Sequence, residues 1–217
     1  MELACPHCSE HFEFEPVTVL TAESEHLPEL LHGTLNCVAC PKCQAMLNVP
    51  AQLIYRDHQH PFMVVQTAHP LSPEEETMLA MQFDESATEA AQAEGLQRPT
   101  VRLVFTRPDF IEKIALHQQG LDDRLVEYAK YQLFNGGAEG ITPQRHRLLF
   151  DFTQKDAGLL TFIIYDRKTG RPIRVLQVPM EEFQHLSQEI QDNDDLRAEL
   201  DRCFPGCRVD IDMLLNH

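Results

Sequence analysis

Basic residues are scarce at the start of this sequence. Residues 1–97 hold two, Lys42 and Arg56, against fifteen Asp and Glu, a balance of −13. The remaining 120 residues are nearly even, with 16 basic and 19 acidic side chains. Nucleic-acid binders gain affinity by setting Lys and Arg against phosphate, so the first part is expected to repel DNA and RNA. No apolar run approaches the roughly 18 residues needed to cross a bilayer. Met1-Glu2-Leu3-Ala4-Cys5-Pro6 offers neither a basic leader nor a long apolar stretch, which argues against a secretory signal. Also missing are a P-loop, a Gly-rich dinucleotide fingerprint, G-x-S-x-G and H-E-x-x-H, the local signatures of nucleotide binding, serine hydrolysis and zinc proteolysis.

Cysteine is present, seven times. The odd count and the absence of a leader point to a reducing cytoplasm, where closely spaced cysteines bind metal or do redox chemistry. Cys5-Pro6-His7-Cys8 and Cys40-Pro41-Lys42-Cys43 are two copies of Cys-Pro-x-Cys. Two intervening residues let the chain turn so that both sulfurs reach one ion at about 2.3 Å. Proline after the first cysteine fixes φ and removes an amide the turn does not need. Two such knuckles close a tetrahedral site, so Cys5, Cys8, Cys40 and Cys43 are the expected ligands of one structural zinc ion. Four thiolates on Zn²⁺ would make the acidic part more negative still. The 31 residues between Cys8 and Cys40 exceed the usual 15–20 and fit an inserted strand and helix.

Cys37 complicates the choice, because it stands three before Cys40 just as Cys40 stands three before Cys43. The repeated proline favours Cys40 and Cys43, leaving Cys37 as a small buried hydrophobe or a spare ligand. Cys-Pro-His-Cys also matches the active site of a thioredoxin-class oxidant. That chemistry needs the cysteine at a helix N-terminus behind a strand. Here four residues precede Cys5 and the strand-like Phe12-x-Phe14 follows. Cys203-Phe204-Pro205-Gly206-Cys207 reads as two unlinked thiols near a helix end. His58 and His60, with His69 further along, read as an exposed polar turn, and Asp122-Asp123 as helix caps.

The pattern of elements is mixed. Strands are expected at His11–Glu15, Val17–Leu20, Ala51–Tyr55, Phe62–Val65 and Val101–Phe105, with a short helix over Glu25–His32. Ser72 and Pro73 open a helix with Glu74, Glu75 and Glu76 in its first turn. Asp84 to Pro99, acidic and Ala-rich, reads as a solvated helix or mobile linker. Two helices follow, one carrying Phe110, Ile111, Ile114 and Ala115 on one face, the other Leu121, Leu125, Tyr128, Ala129 and Leu133. Three strands, Leu148–Phe152, Leu160–Tyr165 and Ile173–Val178, precede helices around Glu181–Ile190 and Asp195–Cys203.

The knuckles and their surroundings resemble the CpXC domain family of bacterial and archaeal proteins. Leu30-Leu31-His32-Gly33-Thr34-Leu35-Asn36 is similar to the family's approach to the second knuckle, and Tyr55-Arg56-Asp57 with Phe62-Met63-Val64 to its continuation. Phe110-Ile111-Glu112-Lys113-Ile114 and Gly120-Leu121-Asp122-Asp123-Arg124 resemble its downstream helices. Ser9 and Gln44 depart from it, standing where the family places glycine after each knuckle, a position that implies left-handed backbone. The resemblance implies zinc and a fold but no reaction.

The expected fold is α+β: an N-terminal zinc-ribbon-like β unit, helices, and a C-terminal antiparallel sheet. Residues 1–135 form the expected zinc-binding domain, with the acidic helix or linker at 70–99. Residues 136–217 form a β-hairpin and helical tail packed on it. The expected function is a zinc-stabilised protein-interaction module, an adaptor or regulator whose partner presents a basic face. The alternative is a cytosolic enzyme, working through an unligated thiol or through a metal in the His58/His60 region.

Overall fold

A computed structural model describes every residue except 69, 71, 137–139, 155–157 and 216–217. His69 therefore lies outside the described residues. The chain divides into two compact units, Met1–Thr106 and Arg107–His217. The architecture is α+β with a C-terminal antiparallel sheet.

The first unit holds two small hairpins and one four-stranded sheet. Strands β1 (Glu2–Ala4) and β2 (His11–Glu13) form the first hairpin, β4 (Cys37–Ala39) and β5 (Met46–Asn48) the second. Between the hairpins run β3 (Val19–Thr21) and the five-residue helix α1 (Leu27–Leu31), which ends at Gly33 with φ +73°. The main sheet has the order β3-β6-β7-β8, with β6 (Leu53–Asp57), β7 (Phe62–Gln66) and β8 (Thr100–Val104). The β6–β7 pair is antiparallel, as a short polar turn allows, while β3–β6 and β7–β8 are parallel. Phe62-Met63-Val64-Val65 is buried throughout, the pattern of a central strand covered on both faces.

A parallel pair needs a crossover of a dozen or more residues. That crossover is α2 (Pro73–Glu94), 22 residues in one helix. It resolves the reading of Asp84–Pro99 in favour of helix as far as Glu94. Ser72 caps it by accepting from the Glu75 N–H at 3.2 Å, and Gly95 ends it with φ +68°. Its alanines allow close packing: Ala87 and Ala91 are its buried residues.

The second unit opens with α3 (Arg107–Gln118) and α4 (Asp123–Gly136), then the antiparallel sheet β11-β10-β9. Its strands are β9 (His146–Phe150), β10 (Leu159–Asp166) and β11 (Pro172–Pro179). Helices α5 (Met180–Asp192), α6 (Asp194–Cys203) and α7 (Asp212–Leu215) complete it. Leu116, Leu125 and Val126 from the helical pair share a core with Leu148, Leu160, Phe162 and Ile164 from the sheet. The helices grouped by sequence with residues 1–135 thus pack in one compact unit with the C-terminal sheet. Strand β11 is a sheet edge, bounded by Pro172 and Pro179, with Ile173 and Val175 exposed.

One feature of this unit has no counterpart in the sequence reading. Glu112, Lys113, Asp123, Glu127 and Lys130 are all buried. Lys113 donates to Asp123 at 3.0 Å and to Glu127 at 3.2 Å, and Lys130 to Glu112 at 2.8 Å and Glu127 at 2.9 Å. Of the expected caps Asp122-Asp123, Asp122 Oδ1 accepts from the Arg124 N–H at 2.9 Å at the start of α4, and Asp123, in its first turn, is also a buried partner of Lys113. Burial pushes the Glu112 carboxyl above its ordinary range. Burial opposes the charge on both lysines as well, but the surrounding carboxylates outweigh it and hold both above the usual lysine value. Lysines buried this completely persist only when paired and hydrogen-bonded.

Candidate metal centre

Each small hairpin carries one knuckle at its tip, and the two tips share one design. In the first, Ala4 faces His11, and residues 5–10 form the loop; in the second, Ala39 faces Met46, and residues 40–45 form it. The Cys5 N–H donates to Glu10 O at 2.8 Å and the Ser9 N–H to Cys5 O at 2.8 Å. Cys40 repeats this, donating to Ala45 O at 2.9 Å and accepting from the Gln44 N–H at 2.9 Å. Closing each turn requires left-handed backbone at the residue after the second cysteine. Ser9 adopts φ 58° and Gln44 φ 61°. In both turns an L-residue takes a conformation that glycine adopts at no steric cost.

The tips bring four thiols together. Sγ of Cys5 lies 3.7 Å from Sγ of Cys43, and Sγ of Cys8 lies 3.6 Å from Sγ of Cys40. All four sulfurs fall within 4.8 Å of one another. A tetrahedron with metal–sulfur bonds of about 2.3 Å has edges of about 3.8 Å, so the cage fits one ion. Disulfide sulfurs would sit about 2.05 Å apart, and all seven cysteines are free thiols. Cys5 and Cys40 are buried, Cys8 half-buried and Cys43 exposed.

The thiols also shift one another. The Cys43 amide, aided by that of Lys42, draws the Cys40 thiol down to about 7 against the cost of burial. For Cys8 the Glu10 amide pulls the same way, yet burial and the sulfurs of Cys43, Cys40 and Cys5 push it up to about 12. Thiolates crowded this closely cannot all ionise without a cation. A divalent ion relieves that conflict, which is the electrostatic reason such cages hold metal.

Cys37 stands outside the cage, its thiol directed to Gly33 O at 3.8 Å. Lys42, inside the second knuckle, donates to Glu10 beside the first at 3.0 Å, tying the two tips across their surface. His7 is exposed, and His11 pairs with Glu2 at 3.2 Å. His60 contacts Asp57 Oδ2 at 3.3 Å, while Asp57 Oδ1 accepts from the N–H groups of Gln59 and His60. This is a turn-closing arrangement, and His58 and His60 are not in the metal-ligating group. Cys203, the last residue of α6, is half-buried beside α4 and α5, and burial pushes its thiol up, away from thiolate reactivity.

A family model described as CpXC protein matches residues 3–130. The chain belongs to the CpXC family. The match takes in both Cys-Pro-x-Cys knuckles that give CpXC its name, the whole first unit after Leu3, and helix α3 with most of α4. No curated protein and no solved structure matches the chain significantly. Among the described residues no helix is long and apolar enough to cross a membrane.

Proposed function

We propose that the protein is a zinc-stabilised interaction module whose partner is a protein with a basic face. Zinc suits the cage because thiolates are soft donors and a closed tetrahedron of four sulfurs is the common structural zinc site. Cys5, Cys8, Cys40 and Cys43 would hold it, with no ligand position left for a reacting water. The ion's contribution is then to folding: it fastens together two hairpin tips that share few buried side chains.

The observation that carries the interaction reading is the exposed face of α2. Met78 and Met81, three residues apart and so on one side of the helix, are 71% and 58% exposed. Glu74 and Glu85 continue the same stripe, four residues away at either end, and both are exposed. Methionine adapts its shape to varied apolar surfaces. Apolar anchors inside an acidic field suit a basic partner, with charge setting the rate of encounter and the methionines the lifetime. The same field opposes DNA and RNA.

Affinity capture with the metal-loaded chain, followed by binding at rising salt, tests this. A captured protein should bind more weakly between low and moderate salt. Reversing Glu74, Glu75 and Glu76 to Lys should weaken it again, as should Met78→Ser with Met81→Ser. Tight binding of nucleic acid at physiological salt, or recovery of the chain alone, would overturn the reading.

A further inference from the structure

Arg56 is out of keeping with its surroundings. The first unit is rich in carboxylates, and two of its cations find them: Lys42 pairs with Glu10 and Arg98 with Asp84. Arg56 pairs with none among the described residues, and its Nε is buried without a hydrogen-bond acceptor. Its neighbour Asp57 is committed to the turn, accepting from the N–H of Gln59 at 2.9 Å and of His60 at 3.0 Å. A buried donor left without an acceptor is costly, and among the described residues none supplies an oxygen to it.

A small recess, open on one side, lies beside it between the β6–β7 hairpin and α2. Phe62 and Met63 form apolar walls, and both are themselves well buried. The opposite wall is Ala87, Ala90 and Ala91 of α2. At spacings of three and four these share one helix face, and their short side chains keep open a space that longer ones would fill. Arg56 shares the lining with the polar side chains of Asp57, His58, Glu94 and Gln97, so apolar walls meet a few polar groups, the usual composition of a small-molecule pocket.

We propose that this recess binds a small carboxylic acid with an apolar body. The carboxylate accepts from the Arg56 guanidinium, which matches its two oxygens in geometry, and the hydrocarbon part lies against Phe62 and Met63. A monoanion fits better than phosphate, because Glu94 also lines the recess and like charge penalises a dianion more. The assignment is independent of whether α2 binds a protein.

Titration of the ¹⁵N-labelled, metal-loaded chain with benzoate, benzamide and inorganic phosphate tests it. Benzoate should produce saturable shifts confined to amides in 56–63 and 87–97, while benzamide and phosphate bind at least tenfold more weakly. Arg56→Gln should raise the benzoate Kd at least tenfold with the rest of the spectrum unchanged. Ala90→Met, which fills the recess and leaves Arg56 in place, should do the same and serves alone if Arg56→Gln does not fold. No saturable shift with benzoate, equal binding of benzamide or of phosphate, or an unaltered Kd in Ala90→Met overturns the proposal.

Discussion

The side-chain amide of Asn36 clasps the backbone of Val17 with two hydrogen bonds. Asn36 Oδ1 accepts from the Val17 N–H at 2.8 Å, and Asn36 Nδ2 donates to Val17 O at 2.9 Å. Asn36 is buried and sits at φ 60°, a left-handed conformation that asparagine tolerates better than most residues. The clasp fixes the strand entering β3 against the approach to the second knuckle. Its backbone C=O also accepts from the Val49 N–H at 2.9 Å, just past β5.

Two costs should therefore add in Asn36→Ala, about 1–3 kcal/mol for the unpaired Val17 groups and about 1–2 kcal/mol for alanine at positive φ. Asn36→Gly removes the second cost and keeps the first. Chemical denaturation of metal-loaded protein should rank the native chain above Asn36→Gly and Asn36→Gly above Asn36→Ala. Equal stability of the two variants would show that the backbone conformation is not under strain.

Ser9 and Gln44 carry the same left-handed strain in the two knuckles. Glycine at either position should stabilise the metal-loaded form, by less than the roughly 1–2 kcal/mol of a left-handed L-residue because glycine also costs backbone entropy. The gain should be larger at Ser9. Gln44 Nε2 donates to Pro41 O at 3.2 Å, a bond that Gln44→Gly loses. Competition for metal against a chromophoric chelator, run on both single variants, checks the order.

Removal of the metal should act locally. The purified chain is expected to hold about one zinc, lost on changing Cys5, Cys8, Cys40 or Cys43 to Ser and kept in Cys37→Ser. A metal cage forms only in folded protein, so its affinity appears as folding stability. Chelator should strip hydrogen-exchange protection from the hairpins at 2–13 and 37–48. Residues 107–217 have their own core and should keep theirs. Uniform loss of protection along the chain would refute this division.

Glu127 bridges both buried lysines through one oxygen, so Glu127→Gln leaves two ammonium groups short of charge. Removing one member of a buried ion pair costs about 3–5 kcal/mol. Glu112→Gln should cost less, since burial already disfavours the charged Glu112 carboxyl. Lys113 and Lys130 titrate higher in the folded chain than in the unfolded one. Their stabilisation is complete below the unfolded lysine value of about 10.4 and is lost as pH rises through the higher folded values. Urea midpoints measured between pH 8 and 11.5 should hold steady and then fall. A midpoint that rises above pH 10 would contradict the pairing.

The cysteine cluster was legible because its chemistry is local. Spacing and the repeated proline separated Cys40 and Cys43 from Cys37, and the missing glycines pointed to Ser9 and Gln44. The α2 cap was legible for the same reason, since Ser72 and Pro73 act within one turn. Strands β1, β4 and β5 lack the alternation that marks Phe12-x-Phe14 at β2, so nothing local announces them. The parallel pairings of β3 with β6 and β7 with β8 depend on distant partners. Glu112, Lys113, Glu127 and Lys130 lie on two different helices, and only the fold brings them face to face. Arg56 is one of two cations in residues 1–97, and nothing in its neighbours says that it has no carboxylate partner among the described residues.

Edge strand β11 shows how the fold guards against its own copies. An open edge invites any extended chain to add a strand, and the exposed Ile173 and Val175 make that addition adhesive. Pro172 and Pro179 offer no N–H, so an intruding strand can find a continuous ladder across no more than the residues between them. Arg174, set between the two apolar side chains, brings its charge beside that of the next copy whenever identical strands stack in register. At high concentration the second unit should therefore resist fibril growth, and replacing both prolines and Arg174 should expose the segment as a nucleus.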